Sequence, residues 1–414
     1  MGAAVTLRRL RTPLAVALLL AAAAAFVGWS QLQGYLWTDY EAEAELPLRH
    51  LAAGQLALFA QTAPGYGGSF VIRAPFALLP DLWGGGDLAI YRSMAVPCLL
   101  AGVALGWMLW RERVGRLGAR GSWALAFGLL AAANPITFKA LTIGHPEELL
   151  GGALCAGAVL AALHRRPWLA AVLLGLAVGN KLWAVLAIGP VFVALDGDLR
   201  LRLRTLVVAG VIAAAVMAPF ALSGAAAARV AATAGHTSTI FQPWQAWWPL
   251  GETGSVVKGS DGHVKPGYRT PPAWLGPVSH PLIAALVLPF TLLWMVRRRG
   301  ARAGDRSDVL LLLALLLLAR CVLDPWDTGY YHLPFLLALL AWEARRGAGP
   351  PVISLAAASA VYVTFERLPV ALSPDAQCAV YLAWTVPLLA ALGWACFFRR
   401  PAAARLPHPA AVAA

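Results

Sequence analysis

The side chains able to do chemistry fall into four groups, each next to an apolar run. The first is Asp39 in Thr38-Asp39-Tyr40, followed by Glu41, Glu43 and Glu45. The second is Lys139, His145, Glu147 and Glu148, within the stretch from Asn134 to Glu148. The third is Lys181 in Gly179-Asn180-Lys181, and the fourth runs from Arg320 to His332 through Asp324, Asp327, Tyr330 and Tyr331. Charges at or near membrane depth are costly unless paired or hydrated, so each is a functional candidate. A carboxylate can act as general base, and Lys, Arg and His can hold an anion. That pairing suits glycosyl transfer from a lipid phosphate, where a carboxylate takes the acceptor proton and cations stabilise the departing phosphate.

Plainer roles stand beside each of these. Thr38 or Asp39 could cap a following helix. His145-Pro146-Glu147-Glu148 reads as a helix start, with proline early and acids in the first turn, which accounts for Glu147 and Glu148 better than for His145 or Lys139. Lys181 could snorkel to the interface, and an Arg320 to Asp324 pair could simply close a loop.

The elements that must position these groups are membrane helices. Of the 414 residues, 60% are hydrophobic and 13% charged, which excludes an ordinary soluble domain. Apolar stretches run over Pro13 to Ser30, Leu88 to Trp110, Ser122 to Ile136, Leu149 to Leu163, Trp168 to Val178 and Leu182 to Leu195. They continue over Thr205 to Ser223, Pro281 to Val296, Val309 to Ala319, Leu333 to Trp342, Val352 to Phe365 and Ala379 to Phe398. The expectation is one all-α integral membrane domain over residues 1–414 with about twelve transmembrane helices.

Arginines before the first stretch, Arg8, Arg9 and Arg11, set the amino terminus in the cytoplasm. Every second connection should then be basic. With that orientation 22 of the 33 Lys and Arg and 6 acids lie inside, against 11 and 14 outside, giving +16 and −3, which sum to the net +13. Both termini are thereby expected in the cytoplasm. The asymmetry accounts for the charge as topology and argues against a nucleic-acid partner. The first 30 residues read either as a retained anchor or as a cleaved secretory signal, with no effect on the sidedness downstream. Five cysteines in no metal-binding spacing argue against a zinc site, and no metal or other cofactor is expected. Cys321 and Cys378 could pair or be two buried small side chains.

Two outer loops are long, 31–87 and 224–280, and are expected to cover the site. Both hold amphipathic segments bounded by Pro and Gly, such as Glu41 to Phe59, that look like surface helices. The second loop is rich in Trp (Trp244, Trp247, Trp248, Trp274), suited to anchoring at headgroup level or to stacking on sugar rings.

With Asp39 after the first span, and Pro64-Gly65-Tyr66-Gly67-Gly68-Ser69 and Arg73-Ala74-Pro75-Phe76 in the loop behind it, the chain resembles the GT-C superfamily. These are polyprenyl-phosphate-sugar-dependent glycosyltransferases. It looks most like the group around glycosyltransferase family 87, the lipid-mannoside mannosyltransferases and their actinobacterial relatives. The likeness covers most of the chain in topology and is specific in short patches. It implies an inverting transfer of a hexose or pentose, mannose first, from a polyprenyl-phosphate donor to an envelope lipid or glycan at the outer face of a bacterial cell membrane. Asp39 matches the acid taken as base in that superfamily. The paired Asp-Asp or Asp-X-Asp metal signature of some branches is absent here, which puts a metal requirement in doubt.

On this reading Lys139, His145, Lys181 and Arg320 contact the donor phosphate. Trp244, Asp324, Tyr330, Tyr331 and His332 shape the sugar or acceptor pocket. A secondary transporter and a non-catalytic envelope-assembly protein are the rival readings; a transporter would place its charges near the bilayer midplane.

Overall fold

The computed structural model describes residues 2–30, 39–117, 122–222, 224, 228, 240–259, 262–298, 308–347 and 349–398, without the side chains of 2–11, 116–117 and 122. Thr38, the start of the first long loop, much of 224–239 and several arginines of the basic segments (Arg8, Arg9, Arg11, Arg116, Arg120, Arg299, Arg302, Arg306, Arg399, Arg400 and Arg405) therefore lie outside the description. Among the described residues the architecture is helical, and the β-pairing consists of two isolated bridges, Glu252 with Thr270 and Lys258 with Val264.

The helices, numbered in order, are α1 (Gly2–Ser30), α2 (Glu45–Ala52), α3 (Leu56–Thr62), α4 (Gly67–Ala77), α5 (Asp87–Leu117) and α6 (Ser122–Ala132). Next come α7 (Pro135–Ile143), α8 (Glu147–Leu163), α9 (Pro167–Asn180), α10 (Ile188–Ala194) and α11 (Leu199–Ala221). The remainder are α12 (Leu275–Ala285), α13 (Val287–Arg297), α14 (Val309–Leu323), α15 (Leu333–Arg346), α16 (Val352–Tyr362) and α17 (Pro374–Phe397). Six described segments are long and apolar enough to cross a bilayer, among them Asp87–Gly115, Leu199–Ala221 and Pro374–Phe397. The chain is a multi-pass membrane protein. All twelve expected stretches are largely helical, but those on α8, α9, α14 and α15 have helices of 17, 14, 15 and 14 residues, shorter than a lone span needs.

Two apolar helices, α8 and α14, are buried almost throughout. In α8 every residue from Glu147 to Ala162 except Leu154 is buried, and α14 is buried from Val309 to Val322. A helix that is apolar all round has no face to give to water, and here other helices cover it. Helices α1, α11 and α13 lie outside and turn Leu14, Leu18, Val207, Val211 and Leu288 outward.

The bundle has two distinct ends. At one, Glu112 bonds both His164 and Arg345, Arg113 donates to the Gly349 carbonyl at 2.6 Å, and Arg298 pairs with Asp308 at 2.7 Å. These belong to the basic connections. At the other end lie the first turn of α8, the last turn of α14 and the chemical groups described below.

The expected surface helix over Glu41 to Phe59 is in fact broken. A π-turn over Tyr40–Ala44 leads into α2, and the chain turns at Gly54, whose φ of +69° is easy for glycine, before α3 begins. The second long loop differs more. Its described part over 240–274 is irregular apart from a short 3-10 turn, Trp248–Leu250, and α12 starts at Leu275, six residues before the expected Pro281. Six prolines between Pro243 and Pro277 account for the lack of helix. All five cysteines are buried free thiols, so Cys321 and Cys378 do not pair.

Candidate active site

Two glycines bring the site together. Gly144 ends α7 with φ +110°, and a Cβ built there would lie 2.7 Å from the Tyr40 backbone nitrogen. A bare backbone is thus required for the Tyr40 strand of chain to lie against the turn before His145, which puts Asp39 beside that ring. Gly68, at the start of α4, touches the end of α9 so closely that a Cβ would fall 2.0 Å from the Gly179 carbonyl oxygen. This seats Tyr66 against Lys181, whose Nζ lies 4.8 Å from the ring centre.

Asp39 is a partly exposed carboxylate, its side chain 37% accessible, with fixed partners on its inner side. Its Oδ2 lies 3.2 Å from His145 Nε2 and accepts from the Tyr330 hydroxyl at 3.3 Å. The Tyr330 ring stacks on the imidazole, centroids 4.6 Å apart. His145 Nδ1 meets Glu147 Oε1 at 2.6 Å, so the imidazole bridges two carboxylates. Burial would lower its pKa, but the charge of Glu147 and the hydrogen bonds to Asp39 and Glu147 outweigh that and raise it to about 9. The ring is therefore cationic at neutral pH.

The same Glu147 oxygen accepts from Lys181 Nζ at 3.1 Å, and Glu148 Oε1 accepts from it at 2.9 Å. Burial opposes the charge of Lys181, yet the two carboxylates outweigh it and hold the pKa above the ordinary lysine value. Arg320 NH1 is 3.8 Å from Glu148 Oε2, and Arg73 NH2 is 4.0 Å from Glu147 Oε2. The Arg320 guanidinium also lies over the Tyr331 and Trp183 rings, at 4.4 and 5.1 Å. Asn180 fixes the corner between α8 and α9, donating to the Glu147 carbonyl at 3.0 Å while accepting from Ser69 at 2.7 Å.

A cavity of about 390 Å³ opens beside this network. Its lining is mostly apolar, with Leu182, Val185, Leu186, Ile283 and Ala284, and also includes Lys181, Arg320, Asp324 and His280. Glu147 and Glu148 are absent from the lining, so the acids stand behind the cations and hold them toward the cavity. Tyr66 also lines it and meets His145 edge-on at 5.4 Å, which places the cavity next to the Asp39 cluster. Both long loops contribute to the lining, through Gly65 and Tyr66 and through His280.

The structure thus brings together Asp39, His145, Lys181, Arg320, Asp324, Tyr330 and Tyr331. Three other candidates fall elsewhere. Lys139 pairs with Glu366 at 3.0 Å and does not line the cavity. Trp244 packs on Phe365, centroids 4.8 Å apart, and His332 is fully buried against Tyr381 and Asp327. Sequence reasoning assigned Glu147 and Glu148 to a helix start and gave Arg73, Tyr66 and His280 no role. The cost of burying two adjacent carboxylates at membrane depth was the signal that could have promoted the first two.

The sequence pattern of glycosyltransferase family 87 matches residues 68–325, more than half of the chain. No curated protein matches it. Among solved structures, the arabinofuranosyltransferase AftD from mycobacteria is similar at 20% identity and a TM-score of 0.41, over 89% of this chain and 27% of that one. The chain spans about a quarter of the length of that protein. The family match covers the core of the bundle, from α4 through α14, and begins after Asp39: the chain belongs to glycosyltransferase family 87.

Proposed function

We propose that the protein transfers a sugar from a polyprenyl-phosphate donor to a lipid or glycan acceptor, with the cavity as the donor site and Asp39 as the base. The observation that carries this reading is the make-up of the cavity, a mostly apolar lining that includes two cations, with a partly exposed carboxylate next door. A prenyl phosphate has that pattern, an anionic head on a hydrocarbon chain. A soluble nucleotide sugar would leave the wall of Leu182, Val185, Leu186 and Ile283 without a partner.

In the proposed reaction Asp39 takes the proton of the acceptor hydroxyl as its oxygen attacks the anomeric carbon. The bond from that carbon to the phosphate oxygen breaks on the opposite face, so the configuration inverts. Lys181 and Arg320 stabilise the charge that grows on the departing prenyl phosphate. Tyr331, which lies between the two cations, keeps them apart and oriented. His145 is better suited to holding Asp39 than to touching the phosphate, because both of its nitrogens are already occupied by carboxylates. Mannose is the first candidate for the sugar and a pentose such as arabinose the second. The site is assigned to the outer face of a bacterial cell membrane and both termini to the cytoplasm, on the strength of the basic connections at the other end of the bundle. The acceptor is an envelope component, and the long loops serve as a cover.

Mass spectrometry of envelope glycolipids from a strain lacking this chain tests the reading. One glycosylated species should disappear, its unglycosylated precursor should accumulate, and the wild-type chain but not Asp39→Asn should restore it. An unchanged glycan and lipid profile would refute the assignment.

A further inference from the structure

A second buried polar cluster lies off the cavity and takes no part in the chemistry above. It joins Cys321 in the last turn of α14, Asp327 in the loop that follows and His332 at the end of the 3-10 turn Gly329–His332. All three have no measurable exposure, and their Sγ, carboxylate oxygen and imidazole nitrogen lie within 4.8 Å of one another. Three different metal-ligating types converge on one dry point.

The hydrogen bonds around this point do not close. His332 Nδ1 faces the Thr328 carbonyl at 3.3 Å, so that nitrogen carries a hydrogen. Nε2 then points toward the Tyr381 hydroxyl at 3.1 Å and Asp327 Oδ2 at 3.6 Å. Tyr381 also reaches Asp327 Oδ2, at 3.0 Å. The tyrosine has one hydrogen for two acceptors, so a further cation, proton or metal, must sit among them. A proton on Nε2 would complete that line, but Asp327 Oδ1 is buried with no hydrogen-bond partner and would stay so. An unpaired buried carboxylate oxygen is expensive. An imidazole held by Nδ1 on a backbone carbonyl, with Nε2 turned inward, is also how proteins orient a histidine for a metal.

We propose that Cys321, Asp327 and His332 bind a structural zinc ion. Mixed sulfur, nitrogen and oxygen donors suit zinc, with metal–ligand distances of about 2.0–2.3 Å. Tetrahedral ligand atoms at those distances stand roughly 3.3–3.8 Å apart, so the cluster, whose atoms lie within 4.8 Å, closes by up to about 1.5 Å on binding. Tyr381 then donates to Asp327 from outside the ligand set or completes the coordination. The Cys321 thiol, which sits 3.4 Å from the Tyr331 carbonyl oxygen, loses its proton to solvent when the metal binds. The ion ties α14 to the loop that carries Asp324, Tyr330 and Tyr331, three residues of the candidate site.

Metal analysis of the full chain tests this without a substrate. Protein purified in detergent from zinc-containing medium, with neither chelator nor histidine tag, should carry about one zinc per chain. Cys321→Ser and Asp327→Asn should each lose it, whereas Asp39→Asn should keep it. Cobalt exchanged into the wild type should give a thiolate-to-cobalt charge-transfer band, a readout that needs no variant to fold. Monodisperse wild-type protein with no zinc above background and no such band would overturn the proposal, leaving a proton at this point. Neither result bears on Asp39 or the donor cavity.

Discussion

Each ionisable side chain of the site is held by another, and this decides what its removal would do. Lys181 is partly buried, its ammonium shared by the buried Glu147 and Glu148. Lys181→Met would leave Glu147 to His145 and Arg73 and Glu148 to Arg320, a loss of about 1–3 kcal/mol of stability for the missing charge-assisted bonds. That variant would therefore report folding before function. Arg320→Lys is the cleaner probe, because it keeps the charge beside Glu148 but loses the planar stacking on Trp183 and Tyr331. Prenyl-phosphate affinity should fall by roughly ten- to a hundredfold, on the order of a lost charge-assisted bond. Fluorescence of Trp183, which lines the cavity, offers the readout. His145 makes a pH prediction. Its pKa is raised from 6.5 to about 9, so its contribution to holding Asp39 is complete below the ordinary value and is lost as pH rises through about 9. Transfer should decline over that alkaline range in the wild type, and His145→Gln should flatten the decline.

At the scale of elements, the joints matter more than the helices they connect. The turn from α7 to α8 makes contact between Asp39 and His145 possible only because Gly144 has neither a side chain nor an ordinary φ. Gly144→Ala should destabilise by about 1–3 kcal/mol and depress transfer further than that loss of folded protein explains, since Tyr40 must retreat and take Asp39 with it. Activity per folded molecule, alongside a thermal melt, separates the two effects. These joints also mark what could be read in the sequence. The charged clusters beside the apolar runs pointed to Asp39, Lys181 and Arg320 because charge near a bilayer is costly wherever it occurs. Nothing local told that Lys139 would turn to Glu366, 227 residues away, while His145 turned to Asp39. Glu147 and Glu148 were legible as a helix start, and their second role depends on α9 ending at their side. Cys321, Asp327 and His332 all lie in the fourth charged segment, but one cysteine in no zinc spacing does not mark them as a group; only the fold brings their ligating atoms within 4.8 Å.

The whole molecule is a bundle with a buried central layer and two ends of different chemistry. Hydropathy located the helices but not their ends, since α5 continues past Trp110 to Leu117 and Pro281 lies inside α12. It was less informative about which of them face lipid, because α8 and α14 are as apolar as any outer helix and yet are enclosed. The proposed sidedness rests on the basic connections, and alkaline-phosphatase fusions test it. A fusion at Gly254, in the second long loop, should be active, and one at Gly347, after the basic end of α15, should be inactive. The central claim remains the division of labour between one carboxylate and one largely apolar cavity that holds two cations. Its most direct test is the rate of sugar transfer from polyprenyl-phosphate donors by Asp39→Asn in lipid nanodiscs, measured on protein that still binds prenyl phosphate. The account predicts a fall of roughly 100- to 10,000-fold with donor affinity within a few-fold of wild type. Turnover by Asp39→Asn close to that of the wild type would contradict it.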